Sequence, residues 1–230
     1  MTKIYLDAGH GGSDSGAVGN GILEKDITLA IAKKIQAILE TNYQDVEIKQ
    51  TRTTDVFLSL DARTTNANNW GADCFVAVHI NSATTPLARG FASYIYNASP
   101  NARTISFQNM MHDAIVNQIK GSGITDRGKE RANFHVLRES KMIAILTENL
   151  FISNSIDASL LKLDAFLDKV AQGHVDGLEK FFGLKKKPVS SPLPNTLYQV
   201  VCGTFSEKAN AEEQVKRLAS DGYTAYIDEK

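Results

Sequence analysis

The sequence lacks several features that define common classes of protein. Its 230 residues include only two cysteines, Cys74 and Cys202, too few for a disulfide framework or a four-cysteine zinc site. Both lie in apolar runs, so we expect two buried free thiols. No apolar run approaches the ~20 residues of a membrane-spanning helix, which predicts no membrane insertion. The N-terminus shows no basic segment followed by an apolar one, so we expect synthesis in the cytoplasm without a signal peptide.

An excess of charge of either sign is also missing. The 25 Lys and Arg residues nearly balance the 26 Asp and Glu residues, which leaves a net charge of −1. Proteins that bind nucleic acid through its phosphates are normally basic, so we expect no nucleic-acid partner. The hydrophobic content of 43% is that of an ordinary globular protein.

Strand-like and helix-like segments alternate along most of the chain. Apolar residues spaced three and four apart predict helices over 24–42, 60–70, 102–120 and 165–181. Apolar or alternating runs predict strands over 3–8, 46–51, 74–78, 90–97, 134–137 and 143–147. This alternation predicts an α/β fold, with a twisted, mostly parallel sheet between helices.

The composition changes after residue 183. Three of the five prolines and a run of lysines follow this point, which predicts a solvated linker over 184–196. Residues 197–230 read as a small β-α-β unit, with Ser206 capping its helix. The unit is too small to bury a core alone, and no second copy is present. We therefore predict a catalytic domain at 1–183, the linker, and this unit.

Polar side chains follow three of the predicted strands. His10, His79 and Glu148 each stand where the chain leaves an apolar run. Ligands bind at the carboxyl ends of strands in open α/β sheets, and Glu24 can join them if the glycine-rich loop after His10 folds back. Two imidazoles and one carboxylate make a catalytic zinc site, with a second carboxylate to accept a proton. The spacing alone is a weak signal, because hydrogen-bonded loop histidines also end strands.

Five segments in one order strengthen the zinc interpretation. They are Asp-Ala-Gly-His-Gly-Gly at 7–12, Glu24 before a helix, Arg63 with Ala-Asn-Asn-Trp-Gly-Ala-Asp at 67–73, Val-His-Ile-Asn-Ser at 78–82 and Leu-Thr-Glu-Asn-Leu-Phe-Ile-Ser-Asn at 146–154. Over about residues 1–183 the chain resembles the zinc-dependent N-acetylmuramoyl-L-alanine amidases of the type-3 family. The segments 127–129 and 132–140 resemble the mother-cell-lytic amidases of sporulating bacilli within that family.

The resemblance implies a role for each matching residue. His10, Glu24 and His79 match the ligands of Zn²⁺, and Glu148 matches the catalytic glutamate. The implied reaction is hydrolysis of the amide between the lactyl group of N-acetylmuramic acid and L-alanine of the stem peptide. The implied partner is bacterial peptidoglycan, and we expect a monomer. Such an enzyme, made without a signal peptide, would reach the wall after lysis or by a non-standard export route, as a sporulation autolysin or a phage lysin.

Four further residues are candidates for supporting roles. Asp7 and Asp14 flank His10, and either carboxylate could accept the second ring N–H of that histidine. Asn81 and His135 are candidates for contact with substrate.

Three other residues receive structural interpretations. Arg63, near Asp61 in the same predicted helix, is expected to form a structural ion pair rather than to clamp substrate. His112 and His174 lie in predicted helices, where we expect surface or packing roles.

The C-terminal segment carries a second resemblance. Residues 197–211 and 222–227 resemble one half of a sporulation-related repeat (SPOR) domain, a family that binds the glycan strands of peptidoglycan. A complete domain has two such halves, and this chain has one. Binding of the wall by this half SPOR-like unit is therefore an open expectation.

Three other functions compete with the amidase. A zinc exopeptidase acting on free peptides would use the same metal site. A glycosidase would use Glu24 and Glu148 as paired carboxylates without zinc. A non-catalytic wall-binding protein would have lost residues of the site, whereas all four expected residues are present. Related enzymes held inactive by a helix carry an insertion after the second histidine, and only ten residues separate His79 from Gly90 here. We therefore expect a permanently open site.

Overall fold

The computed structural model describes residues 1–188 and 201–228, which fall in two units, Met1–Lys187 and Pro188–Lys230. The elements of the first unit are β1 (Thr2–Ala8), β2 (Val18–Gly19), β3 (Ile22–Leu23), α1 (Glu24–Asn42), β4 (Tyr43–Gln44), β5 (Val46–Gln50), α2 (Leu60–Trp70), β6 (Cys74–Asn81), β7 (Phe91–Tyr96), α3 (Ala102–Ile119), a 3₁₀ turn (Lys120–Ser122), β8 (Asp126–Ala132), α4 (His135–Arg138), β9 (Ile143–Phe151), α5 (Ser155–Leu161), α6 (Asp164–Phe182) and β10 (Lys185–Lys186). The second unit contains α7 (Lys208–Ser220).

Six of these strands form one sheet in the order β5-β1-β6-β9-β7-β8. Its neighbouring strands are parallel except β7 and β9, which run antiparallel. Helices cover both faces of the sheet. A separate hydrophobic core lies on each face, and the two cores contain residues from different helices. The predicted α/β fold with a mostly parallel sheet is confirmed.

The two faces of the sheet differ in what covers them. One face carries Val76 and Ile145 and packs against α1, α3 and α6. The opposite face carries Phe75 and Ala144 and packs against α2 and α4. Side chains alternate along a strand, so His79 and Glu148 point to this second face, just beyond its apolar core. The sheet thus brings two of the predicted site residues to the same side.

Helices α1 and α2 occupy the predicted ranges. The apolar residues of α1, such as Ile31, Ile35 and Leu39, are fully buried against the sheet. At the start of α2, the hydroxyl of Ser59 accepts a hydrogen bond from Ala62 N. The helix ends at Gly71, whose φ of 68° is the left-handed conformation that glycine adopts most easily.

Two short segments differ from prediction. The strand predicted at 134–137 is wrong, because His135–Arg138 form the helix α4 and bury Val136 and Leu137. Strand β8 at the sheet edge was not predicted, because its sequence is mostly charged. One of its charged side chains forms an ion pair with α3, since Lys129 Nζ lies 2.7 Å from Asp113 Oδ1. Helix α5 was also not predicted.

The start of the predicted linker belongs to the first unit. Leu184 is buried, and Lys185–Lys186 pair antiparallel with Tyr43–Gln44. The backbone N–H of Lys187 donates to the carbonyl of Asn42 at 2.7 Å. The linker therefore begins at or after residue 188, and its remainder from 189 to 196 lies outside the described residues.

In the second unit the predicted helix is present as α7, preceded by Glu207 rather than Ser206 at its N-cap. Residues 201–204 and 223–227 are not strands, while the rest of the first predicted strand lies outside the described residues. Cys74 is buried as expected, but Cys202 is exposed, so the prediction of two buried thiols is wrong. Within the described ranges, the structure contains no helix long and apolar enough to cross a membrane.

Candidate active site and metal centre

Three potential metal ligands converge at the carboxyl edge of the central strands. Glu24 Oε1 lies 3.2 Å from His10 Nε2 and 3.1 Å from His79 Nδ1. One donor atom from each of the three residues lies within 4.8 Å of the others. The structure therefore brings together the three residues that the sequence proposed as ligands.

The loop after β1 fixes the first of these potential ligands. His10 has a φ of 60°, and its Nδ1 lies 2.8 Å from Asp14 Oδ2. Backbone hydrogen bonds in both directions between Gly11 and Asp14 close the loop. Asp14 thus lies at hydrogen-bond distance from Nδ1, which leaves Nε2 of His10 facing Glu24.

The second potential ligand is the first residue of α1. Glu24 is 4% exposed, and both carboxylate oxygens accept backbone hydrogen bonds. Oε2 accepts from Ala17 N and Oε1 from Ile80 N, each at 2.9 Å. These bonds hold the carboxylate between the two imidazoles.

Two glycines leave the space that the ligands occupy. A Cβ atom on Gly9 would lie 2.5 Å from the ring of His79. A Cβ atom on Gly16 would lie 2.6 Å from Glu24 Oε2 and 2.6 Å from His10 Cδ2. Any side chain at either position would displace one of the potential ligands.

The charges of the site favour an ionised Glu24. Burial opposes ionisation, but hydrogen bonds from His10 and His79 hold the pKa of Glu24 far below its usual value. Burial likewise opposes protonation of His10, but Glu24 and Asp14 outweigh it and raise the pKa of His10 to about 9. Glu24 is therefore an ionised carboxylate placed between two imidazoles, and its negative charge suits a cation.

Glu148 stands beside this cluster. It pairs with His79 across β6 and β9, and its Oε2 atom is buried without a hydrogen-bond partner in the described residues. Burial, assisted by the negative charge of Glu24, raises the pKa of Glu148 to about 7, although His79 and His10 oppose the rise. A carboxyl group with this pKa can both accept and donate a proton near neutral pH.

Two buried arginines support the histidine loop. Arg63 donates to Asp7 Oδ1 at 2.6 Å and to the carbonyls of Ala8 and His10 at 2.8 and 2.7 Å. The structural ion pair expected for Arg63 is therefore present, but its partner is Asp7 rather than the nearby Asp61. Asp7 pairs with Arg63 and, unlike Asp14, does not contact the His10 ring.

Arg52 was not proposed from the sequence. Its guanidinium donates to the carbonyls of Ala8 and Gly9 at 3.1 and 3.0 Å. The available signal was its position, since it is the first charged residue after the predicted strand at 46–51.

The remaining candidates, Asn81 and His135, have partners outside the cluster. Asn81 ends β6, and its Oδ1 accepts from Ser82 N at 2.8 Å. His135 begins α4, and its Nε2 lies 3.2 Å from Asp61 Oδ1. In the described part of the chain, neither side chain hydrogen-bonds to a metal-site residue.

His112 and His174 are both buried packing residues rather than surface ones. His174 Nδ1 lies 2.8 Å from the carbonyl of Val170, and its Nε2 lies 3.0 Å from Thr147 Oγ1. His112 lies between Ser93 and Asp126.

The donor set fits zinc. Two imidazole nitrogens and one carboxylate oxygen are a common set for catalytic zinc, with one position left for water or substrate. The unpartnered oxygen of Glu148 beside them is the feature expected of a proton acceptor that does not bind the metal. No residue of the cluster is out of place for this ion.

Comparison with known proteins identifies the family. The family model described as "N-acetylmuramoyl-L-alanine amidase" matches residues 4–180. The sporulation-specific N-acetylmuramoyl-L-alanine amidase of Bacillus subtilis is 44% identical over 227 residues, which is 99% of this chain and 84% of that protein. The endolysin of Bacillus phage SPP1 is 51% identical over 189 residues, 81% of this chain and 69% of that protein.

Solved structures agree with the sequence matches. The catalytic domain of CwlV, an N-acetylmuramoyl-L-alanine amidase from Bacillus (Paenibacillus) polymyxa var. colistinus, superposes with a TM-score of 0.75 at 37% identity. The match covers 80% of this chain and 100% of that domain. The chain therefore belongs to the N-acetylmuramoyl-L-alanine amidase family, and it is a peptidoglycan hydrolase with that activity.

Proposed function

We propose that the chain is a zinc amidase in which His10, Glu24 and His79 hold the metal and Glu148 moves the proton. The bond cleaved is the amide between the lactyl group of N-acetylmuramic acid and L-alanine of the stem peptide. The observation that carries this proposal is the buried, unpartnered oxygen of Glu148 beside three convergent ligand atoms.

Each residue of the site has a distinct task in the reaction. The chemistry supplied by a bound zinc is Lewis acidity, which lowers the pKa of water toward ~7 and polarises a carbonyl oxygen. Glu148 orients the attacking water and accepts its proton. It then returns that proton to the alanine nitrogen as the amide bond breaks. The pKa of about 7 lets this one carboxyl group act first as base and then as acid.

We further propose a role in lysis of the wall during sporulation. The B. subtilis sporulation-specific amidase aligns with 99% of this chain, whereas the SPP1 endolysin aligns with 81% of it. The longer match favours sporulation over a phage origin. It also supports a wall-targeting role for the C-terminal unit, for which the SPOR resemblance remains a proposal.

Digestion of purified wall by the full chain tests the chemistry. We expect about one zinc per chain, new N-terminal alanine groups, and loss of activity on chelation that added zinc restores. A glycosidase would instead release reducing sugar ends. An exopeptidase would cleave free peptides and leave intact wall untouched. Either result, or full activity without metal, would contradict the proposal.

A further inference from the structure

The register of the sheet links the metal site to its outer edge. His79 pairs with Glu148, Glu148 with Ala92, and Ala92 with Gly128, so one row crosses four strands. Neighbouring strands are ~4.8 Å apart, which places the start of β8 about 10 Å from Glu148. The first residues of the edge strand β8 are therefore within reach of a substrate bound at the site.

Arg127, beside Gly128, extends back toward the site. Its guanidinium lies over the ring of Phe151, with 5.0 Å between Cζ and the ring centroid. One of its N–H groups donates to the carbonyl of Arg89 at 3.4 Å. The side chain thus crosses from β8 over the start of β7 to the end of β9.

The position of Phe151 sets the distance from the reacting bond. Phe151 pairs with Asn81, whereas Glu148 pairs with His79, two residues earlier on β6 and three earlier on β9, because the register shifts between these pairs. Two strand residues span about 7 Å. The Arg127 guanidinium therefore lies about 7 Å beyond the level of Glu148, on the outer side of the site.

The charge of Arg127 is available to a ligand. Its side chain is exposed, and the described residues give it no ion pair, in contrast to Lys129 on the same strand. Its charge also acts on Tyr94 of the neighbouring strand β7. Burial and the negative charge of Glu148 raise the pKa of Tyr94, and Arg127 opposes that rise.

We propose that Arg127 is a specificity-determining residue that binds a carboxylate of the stem peptide. This inference rests on the proposed function, because the stem peptide is the substrate only if that function is correct. The residue after L-alanine in stem peptides is D-glutamate joined through its side chain, which leaves its α-carboxyl group free or amidated. One residue of extended chain spans about 3.5 Å, so this group lies within about 7 Å of the scissile nitrogen. A guanidinium can bind such a carboxylate through two parallel hydrogen bonds.

Two muramyl tripeptides that differ only at this α-carboxyl group, free or amidated, test the assignment. Their other carboxyl groups are amidated. We expect the unaltered chain to prefer the free carboxylate by about tenfold or more in kcat/KM. Arg127→Gln should lose that preference and keep its rate on the amide. Arg127→Lys should retain part of the preference, because it keeps the charge without the planar fork.

The matched control is Arg131→Gln, which removes an exposed arginine four residues further along β8. It should leave both rates unchanged. Equal losses on both substrates in Arg127→Gln would show a merely structural role and overturn the inference. So would an unaltered chain that cleaves both tripeptides equally well. If it cleaved neither tripeptide, the proposed function itself would fail, and this inference with it.

Discussion

His79 and Glu148 lie opposite each other on the parallel strands β6 and β9. The residue proposed to bind the metal and the residue proposed to move the proton therefore form one cross-strand pair in the sheet. Because the sheet is rigid and packed on both faces, their separation is fixed by backbone hydrogen bonds rather than by a loop. Their roles can thus be separated by mutation without moving the backbone.

Glu148→Gln should retain near-stoichiometric zinc and lose activity by about 10²-fold or more, the scale of general acid–base catalysis. The amide keeps the size of the side chain but cannot accept the proton. Metal analysis and wall digestion measure the two effects. His79→Ala is the comparison and should lose both zinc and activity. Loss of zinc from Glu148→Gln would make Glu148 a primary ligand.

Arg63→Ala should lower the free energy of unfolding by about 3–5 kcal/mol, because it leaves the buried charge of Asp7 unpaired. It should also weaken zinc binding, because Arg63 holds the carbonyl of His10. Urea denaturation and a zinc titration measure these changes. The control is Asp61→Ala, whose side chain is 87% exposed and should change stability little. Equal effects of the two variants would contradict the buried pairing.

His174 should make the fold sensitive to acid. Burial lowers the pKa of its imidazole from 6.5 to about 4. Between these two pH values His174 is protonated in the unfolded chain and neutral in the folded chain. The stabilisation is full above pH 6.5 and is lost as the pH falls toward 4, by about 3 kcal/mol in total.

Urea denaturation at several pH values, compared between the unaltered chain and His174→Asn, tests this dependence. The variant should be less stable at neutral pH, and its stability should fall less steeply between pH 6.5 and 4. Parallel curves for the two proteins would show that His174 does not carry the effect.

A chain truncated after Lys187 should hydrolyse a soluble muramyl peptide at close to the full-length rate. All four proposed site residues lie in the first unit, and the cut preserves β10. On insoluble wall the truncated chain should be slower, because a tethered binding unit raises the local concentration of enzyme. A cut after Gly183 is the comparison and should reduce stability, since it removes buried Leu184. Loss of soluble activity after the cut at Lys187 would refute the independence of the tail.

The purified chain should cut wall without an activator. Residues 82–90, which join β6 to β7, contain no helix that could cover the site. Wall digestion by the purified protein alone measures this. A requirement for a second protein would contradict a permanently open site.

Periodic sequence patterns located the long elements, and local chemistry decided the short ones. Helix α2 was predictable at both ends, from the serine before it and the glycine after it. Strand β8 was not, because an edge strand with charged side chains has no apolar period. The run at 134–137 was ambiguous, since two buried residues in four fit a strand or a single helical turn.

The candidate site was predictable to a similar degree. Strand ends indicated His10, His79 and Glu148, because parallel strands deliver their ends to one edge. The partner of Arg63 was not predictable, since Asp61 is near in sequence while Asp7 is reached only through the packing of α2 on β1. Arg127 was missed as a candidate because β8 was not recognised as a strand.

The order of strands in the sheet also bears on when the enzyme becomes active during its synthesis. Strand β9 lies between β6 and β7, although both precede it in the chain. A growing polypeptide that has passed β8 therefore holds two sheet fragments that cannot join until residues 143–151 have emerged. Those same residues include Glu148. A nascent or prematurely terminated chain lacks its central strand and the proposed proton acceptor together, so we expect wall-cutting activity only in a chain whose sheet is complete.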